Sequence, residues 1–330
     1  MKTRQLGNSN LRVPPIIYGA WAIGGWYWGG TDDEAAVRAI HEAIDLGITA
    51  IDTAPMYGFG HSEEVVGRAI RGRRAAVQVL TKCGMRWDRD EGQFFFNTTD
   101  DNGKEYAVYR NLKRDSIAEE CERSLKRLGV ETIDLYQCHW PDNTTPLSET
   151  METLLRLQEQ GKIRHIGVSN FTPEMIETCR KHGSVVSNQP HYSLLKRDAE
   201  ADILPYCREH NIGLIVYRPL EQGLLTGKYG PDASFGEGDN RANDRLFSKE
   251  SRRRIQSALA KIQPIADAYN ATLAQVTIAW TIGEPGITAA IVGARNPEQV
   301  RDNVGAVGIL LSDGERKAIR DIFEGLDVPA

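Results

Sequence analysis

The chain has 330 residues, 41% of them hydrophobic and 26% charged, an ordinary composition for a soluble globular protein. Its net charge of −5 is spread evenly in both signs, which argues against nucleic-acid binding and against a disordered acidic tail. Five scattered cysteines (Cys83, Cys121, Cys138, Cys179 and Cys207) include no C-x-x-C pair, so a zinc site or disulfide framework is not expected and a cytoplasmic location is. The N-terminal MKTRQLGNSNLRVPP lacks the apolar core of a signal peptide, and no run approaches the ~20 apolar residues of a membrane span.

In chain order, residues 2–14 read as a β-hairpin turning at Gly7-Asn8. Short runs apolar on both faces then recur: IIYG (16–19), ITAID (48–52), VQVLTK (77–82), IDLYQCH (133–139), IRHIGVS (163–169), VVSNQ (185–189), IGLIVY (212–217) and TAAIVG (288–293). Strands covered on both sides have this pattern. Amphipathic helical patterns separate them. TDDEAAVRAIHEAIDLG (31–47) opens on Thr31 as a cap, carries acids in its first turn and stops at Gly47. RDSIAEECERSLKRLG (114–129) and PLSETMETLLRLQEQG (146–161) follow the same grammar.

Eight strands alternating with helices predict an α/β fold with a parallel sheet. A closed (β/α)8 TIM barrel is favoured over an open doubly wound sheet, because both nucleotide-loop signatures fail. The glycines of AWAIGGWYWGG after the first strand do not have G-x-G-x-x-G spacing, and Gly223 to Lys228 is one residue short of a phosphate loop. No linker divides the chain, so residues 1–330 are expected to form one domain. Two long connections, 83–109 after the third barrel strand and 218–247 after the seventh, are read as loops at the rim where barrel active sites lie.

Barrel geometry would gather Asp52, Tyr57, Lys82 and His139 at that rim from three adjacent strands. Singly, three have a plain structural explanation: a turn acid, a packed phenol, a histidine in the core. A lysine ending a buried strand is less ordinary, because its ammonium must find water or a partner. Together they suit protonation of a carbonyl oxygen. A phenol titrates near 10 and is a poor acid at neutral pH. The Lys82 ammonium is expected to lower that value, and Asp52 to hold the ammonium in place. His139 can orient a carbonyl or exchange a proton with Tyr57. No side chain supplies hydride, so a nicotinamide or flavin is implied.

From end to end the chain resembles the aldo-keto reductase superfamily, and is similar to its bacterial general-stress and inositol-type members. The resemblance rests on DTAPMYGFGHSEE (52–64), TK (81–82), LYQCHWPD (135–142) and IRHIGVSNF (163–171). It implies Tyr57 as proton donor, tuned by Lys82 and Asp52, with His139 orienting the substrate. It further implies that Ser169, Asn170 and Gln189 hold the nicotinamide carboxamide, with Tyr217 stacked on its ring and Trp21 and Asp52 bordering the site. Arg218, Pro219, Leu220, Gly223 and Lys228 belong to a segment similar to the family's pyrophosphate-covering loop, and Arg241 is a further phosphate candidate. Many members have Lys-Ser where Gly293-Ala294 stands and an arginine where Gln299 stands. Arg295 is then the expected ligand of a 2′-phosphate, and Gln299 and Asn303 face the adenosine.

Trp21, Trp26, Tyr27, Trp28, Trp87 and Trp140 all fall at the predicted rim, and the tryptophans are candidates to touch substrate along with Tyr57 and His139. The 83–109 segment, with Phe94, Phe95 and Phe96 amid acids, reads as a lid or partner surface. The resemblance implies NADPH-dependent reduction of an aldehyde, ketone or oxidised sugar, with NADH use possible. A sugar or polyol dehydrogenase is the alternative enzyme. A cofactor-sensing protein similar to channel β subunits is the non-enzymatic alternative. The expected partner is a small carbonyl or alcohol; nucleic acid, membrane and metal are not expected.

Overall fold

The structure, a computed structural model, describes residues 1–100, 102–236 and 238–329. The chain opens with a hairpin in which β1 (Arg4–Gln5) pairs antiparallel with β2 (Arg12–Val13). The barrel strands β3 (Ile16–Gly19), β4 (Ala50–Asp52) and β5 (Gln78–Cys83) follow. Next come three strands outside the barrel, β6 (Met85–Arg86), β7 (Gln93–Thr99) and β8 (Glu105–Arg110). The barrel resumes with β9 (Ile133–Cys138), β10 (Ile163–Ser169), β11 (Ser187–Gln189), β12 (Gly213–Val216) and β13 (Ile287–Gly293). β13 pairs back onto β3, closing eight parallel strands into a barrel with helices between them. The expected (β/α)8 architecture is therefore the one found, with some strands shorter than the apolar runs that announced them.

Besides a smaller aromatic cluster around Trp26 and Met85 at the barrel mouth, two large cores hold most of the apolar side chains. One lies between the barrel wall and the surrounding helices. The other fills the barrel itself: Ile17, Ala50, Leu80, Leu135, Ile215 and Ala289 point inward, and Leu6 and Leu11 of the hairpin close its lower end. Gly7, at φ +54°, lets the hairpin tip press on the barrel floor, where a Cβ would meet the Val186 carbonyl oxygen at 2.3 Å. Because strand side chains alternate, the next inward positions above Ala50, Leu80 and Leu135 are Asp52, Lys82 and Gln137. Polar groups thus form the upper layer of an otherwise apolar barrel.

Two local expectations are corrected. The helix Asp33–Asp45 is capped by Asp32, whose carboxylate accepts from the Ala35 backbone N–H at 3.0 Å, and not by Thr31. The 83–109 segment is not an irregular loop: β6, β7 and β8 make an antiparallel sheet over the barrel mouth, with Asp101 outside the described residues. Its strands have one face on the aromatic cluster and one toward solvent, so they lack the run of apolar residues on both faces that marks a barrel strand. A register shift between Phe94 and Phe96 breaks the alternation, and both Phe95 and Phe96 pack into the aromatic cluster at the mouth. Phe94 stays exposed against Tyr109. The 218–247 segment, in which residue 237 is not described, runs as successive short 3-10 turns. Among the described residues no helix is long and apolar enough to cross a membrane.

Candidate active site

Asp52 ends β4, and the chain then turns sharply, with the Tyr57 amide donating to the Ala54 carbonyl at 3.1 Å. Gly58, at φ +67°, lies so close to Gly24 that a Cβ would come within 2.1 Å of that carbonyl oxygen. This contact locks the Tyr57 turn against the first barrel loop. Lys82 projects inward from β5 and is wholly buried. Its ammonium donates to Asp52 Oδ1 at 2.5 Å, to the Thr53 carbonyl at 2.9 Å and to the Tyr57 hydroxyl oxygen at 3.2 Å. All three ammonium protons are thereby placed. Since the Tyr57 oxygen accepts from Lys82, its own proton is left to point into the cleft.

His139 follows β9 directly, and its ring lies edge-on to Tyr57 with centroids 5.7 Å apart. The four expected side chains therefore converge. Their electrostatics depart from expectation at Tyr57. Burial raises the phenol above its ordinary value and outweighs the opposing pull of Lys82, so no stable phenolate forms before reaction. Burial, aided by the nearby Lys82 charge, holds the His139 imidazole well below its usual range, and it is neutral. Lys82 is raised despite its burial, mainly by Asp52.

Gln137 was missed at the sequence level. Its amide donates to Asp52 Oδ2 at 3.1 Å, and Gln189 donates to the same oxygen at 2.9 Å. The inward alternation Leu135, Gln137, His139 is the signal that would have found it.

From this floor a cleft of about 760 Å³ runs across the barrel mouth. Ser169, Asn170 and Gln189 line it; Asn170 Nδ2 donates to the His139 carbonyl at 3.1 Å, and the Tyr217 hydroxyl donates to Asn170 Oδ1 at 3.0 Å. Arg218, Pro219, Leu220, Gly223 and Lys228 line the next stretch, and Gly293, Arg295, Gln299 and Asn303 the far end. Arg295 Nη2 donates to the Gly30 carbonyl at 3.0 Å, its backbone N–H donates to Gln299 Oε1 at 2.8 Å, and Asn303 bonds the Gly293 carbonyl. Arg241 also lines the cleft, but its guanidinium is committed to Asp239, the Tyr229 hydroxyl and the Gln222 carbonyl. It acts as a staple of the 218–247 segment. Trp21, Trp26, Trp28 and Trp140 border the cleft with Met56, Met85, Phe95 and Phe96. Trp87 does not line it, and packs edge-on against Phe59 beside the β6–β8 sheet.

The cleft carries unused polar capacity. Trp21 Nε1, Trp28 Nε1, Arg218 Nε and Gln222 Oε1 are buried without partners among the described residues, although buried polar atoms are rarely left so. Three donors and one acceptor of this kind along the cleft fit the amide, hydroxyl and phosphate groups of a dinucleotide.

Comparison with known proteins decides the family. Residues 15–324 match the model of the Aldo/keto reductase family. The chain belongs to the aldo/keto reductase family. This aldo/keto reductase is 39% identical over 333 residues to the NADH-specific methylglyoxal reductase of Escherichia coli (strain K12), covering 99% of this chain and 100% of the relative. It is 37% identical over 327 residues to aldo-keto reductase YhdN of Bacillus subtilis (strain 168), covering 98% and 94% of the two chains. The solved structure of the glycerol dehydrogenase AKR11B4 from Gluconobacter oxydans superposes with a TM-score of 0.88 at 39% identity, covering 99% of this chain and 97% of that one. The protein is thus an oxidoreductase acting on carbonyl or alcohol groups with a nicotinamide cofactor.

Proposed function

We propose that this protein reduces an aldehyde, ketone or oxidised sugar to the alcohol with NADPH. The observation that carries the reading is the Lys82 ammonium held between Asp52 and the Tyr57 hydroxyl, at the floor of the cleft across the barrel mouth. A bound nicotinamide supplies the hydride. Tyr57 gives its proton to the carbonyl oxygen, and the Lys82 ammonium at 3.2 Å stabilises the phenolate this leaves. The neutral imidazole of His139 donates one hydrogen bond to the same oxygen and orients the carbonyl. Trp21, Trp26, Trp28 and Trp140 give the substrate flat apolar walls that exclude water.

Preference for NADPH over NADH rests on Arg295, whose guanidinium bonds a carbonyl and has no carboxylate partner among the described residues. It stands just before the helix Pro297–Gly305, where the helix N-terminus also favours anions. Oxidation of a polyol is the same chemistry reversed, and the likeness to a glycerol dehydrogenase supports it as a second direction. Five buried free cysteines accord with a reducing cytoplasm.

The test is a spectrophotometric panel of carbonyls and alcohols with both nicotinamides, run on the protein and on Tyr57→Phe. The substitution should lower reduction at least ~100-fold with nucleotide affinity preserved. Full activity in Tyr57→Phe would remove the phenol from the reaction.

A further inference from the structure

Behind the cleft wall, outside the residues that line it, lies a polar pair, His191 half-buried and Glu221 buried, without a role in the chemistry above. Glu221 is 2% exposed, and its Oε1 takes hydrogen bonds from His191 Nε2 at 2.7 Å and from the Ser193 hydroxyl at 2.5 Å. The His191 ring in turn stacks on Tyr217, with centroids 5.1 Å apart and planes 18° from parallel. A backbone bridge joins the same two residues, and the Tyr217 amide donates to the Pro190 carbonyl at 3.1 Å.

Glu221 sits in a strained stretch. Arg218, Glu221 and Gln222 have φ of +58°, +44° and +53°, the left-handed region that side-chain-bearing residues seldom occupy, and Gly223 follows at +92°. Three such residues within five persist only if something holds them. The buried carboxylate bound to His191 and Ser193 is one tether of that stretch, beside the Arg241 bond to the Gln222 carbonyl. His191 therefore has two attachments: its ring backs Tyr217, and its nitrogen holds the loop that carries Arg218 and Gly223 along the cleft. Tyr217 passes the connection on, through Asn170, to the backbone carbonyl of His139.

We propose that His191 and Glu221 are positioning residues that couple the nicotinamide end of the cleft to its pyrophosphate end. The His191 ring sets Tyr217 against which the nicotinamide packs, and the His191–Glu221 bond sets the strained 218–223 loop. Neither residue touches cofactor or substrate. This inference rests on the nicotinamide-dependent function proposed above.

Two substitutions separate the two attachments. His191→Phe keeps a flat ring behind Tyr217 and removes the bond to Glu221. His191→Gln keeps an amide donor for Glu221 and removes the ring. Binding is measured by calorimetry with NADP+ and with 2′-phospho-ADP-ribose, which lacks the nicotinamide, and rates with NADPH and its 4-deuterated form. His191→Phe should weaken both ligands about tenfold or more, because an ordered pyrophosphate loop is lost. His191→Gln should bind 2′-phospho-ADP-ribose within twofold of the parent, yet weaken NADP+ by up to about tenfold and increase the deuterium isotope effect. Binding and rates unchanged in both variants would overturn the proposal. So would equal losses in both with a fall in melting temperature, which would make the pair merely structural. A parent protein that binds neither NADP+ nor NAD+ would instead sink the functional reading itself.

Discussion

Lys82 Nζ stands 2.5 Å from Asp52 Oδ1, with both side chains essentially sealed from solvent inside the barrel. Breaking a buried pair from one side strands a charge, which costs about 3–5 kcal/mol, more than the pair itself contributes. Lys82→Met should accordingly destabilise the fold by that order and abolish reduction, because Asp52 would retain only the amides of Gln137 and Gln189. Adding Asp52→Asn should restore part of the stability and none of the activity. Urea denaturation of the parent, both single variants and the double variant measures the coupling; a double variant no more stable than Lys82→Met would refute it.

His139 provides a pH test. Its imidazole is held well below the ordinary 6.5 by burial and by Lys82, so the unfolded chain binds a proton in mild acid that the native site refuses. By linkage, the stability this neutral histidine maintains is complete above about 6.5 and is lost progressively as pH falls below it. His139→Asn should flatten that part of the stability profile. Denaturation midpoints at pH 7.5, 6.5 and 5.5 would show the difference, and parallel profiles would contradict it.

Glu120 titrates in the opposite sense. It is buried behind β5, accepts the Gly84 N–H at 3.1 Å on both carboxyl oxygens, and is pushed up from 4.5 to about 8 by burial. The native state keeps a proton that the unfolded chain releases, so stability is greatest below about 4.5 and declines as pH rises toward about 8. Glu120→Gln should remove that decline while leaving the lid sheet in place. The same denaturation series extended to pH 9 would test it, with an unchanged slope counting against a protonated Glu120.

Arg295→Ala should weaken NADPH by about tenfold or more, the range for a hydrogen-bonded charge, and weaken NADH far less. Fluorescence titration with each nucleotide distinguishes the cases. Equal loss for both would mean that Arg295 serves the Gly30 loop and not a 2′-phosphate.

The candidate quartet was legible because Asp52, Lys82 and His139 sit at the ends of apolar runs with Tyr57 in the turn after the first of them, and strand ends share one rim in a closed barrel. The same local grammar misread the lid. Residues 93–110 look irregular beside the buried strands because one face of that sheet is wet, and the shift that brings both Phe95 and Phe96 into the aromatic cluster has no local signature. Trp87 and Trp140 were equivalent as aromatics near the rim, yet one packs beside the lid sheet and the other lines the cleft. Arg241 was a phosphate candidate by position, and that its guanidinium also pairs with Asp239, two residues earlier, could not be seen along the chain.

Periodicity and strand ends are local properties that a barrel makes common, so the eight strands, the closed barrel and the approach of Asp52, Tyr57, Lys82 and His139 could be read along the chain. Tertiary structure alone decided the balance of charge. Whether Lys82 lowers the Tyr57 phenol or burial raises it depends on how completely the surrounding loops exclude water, and burial wins. It also decided what the cations of the cleft bond: Arg241 meets Asp239, the Tyr229 hydroxyl and the Gln222 carbonyl, while the Arg295 guanidinium meets only the Gly30 carbonyl among the described residues.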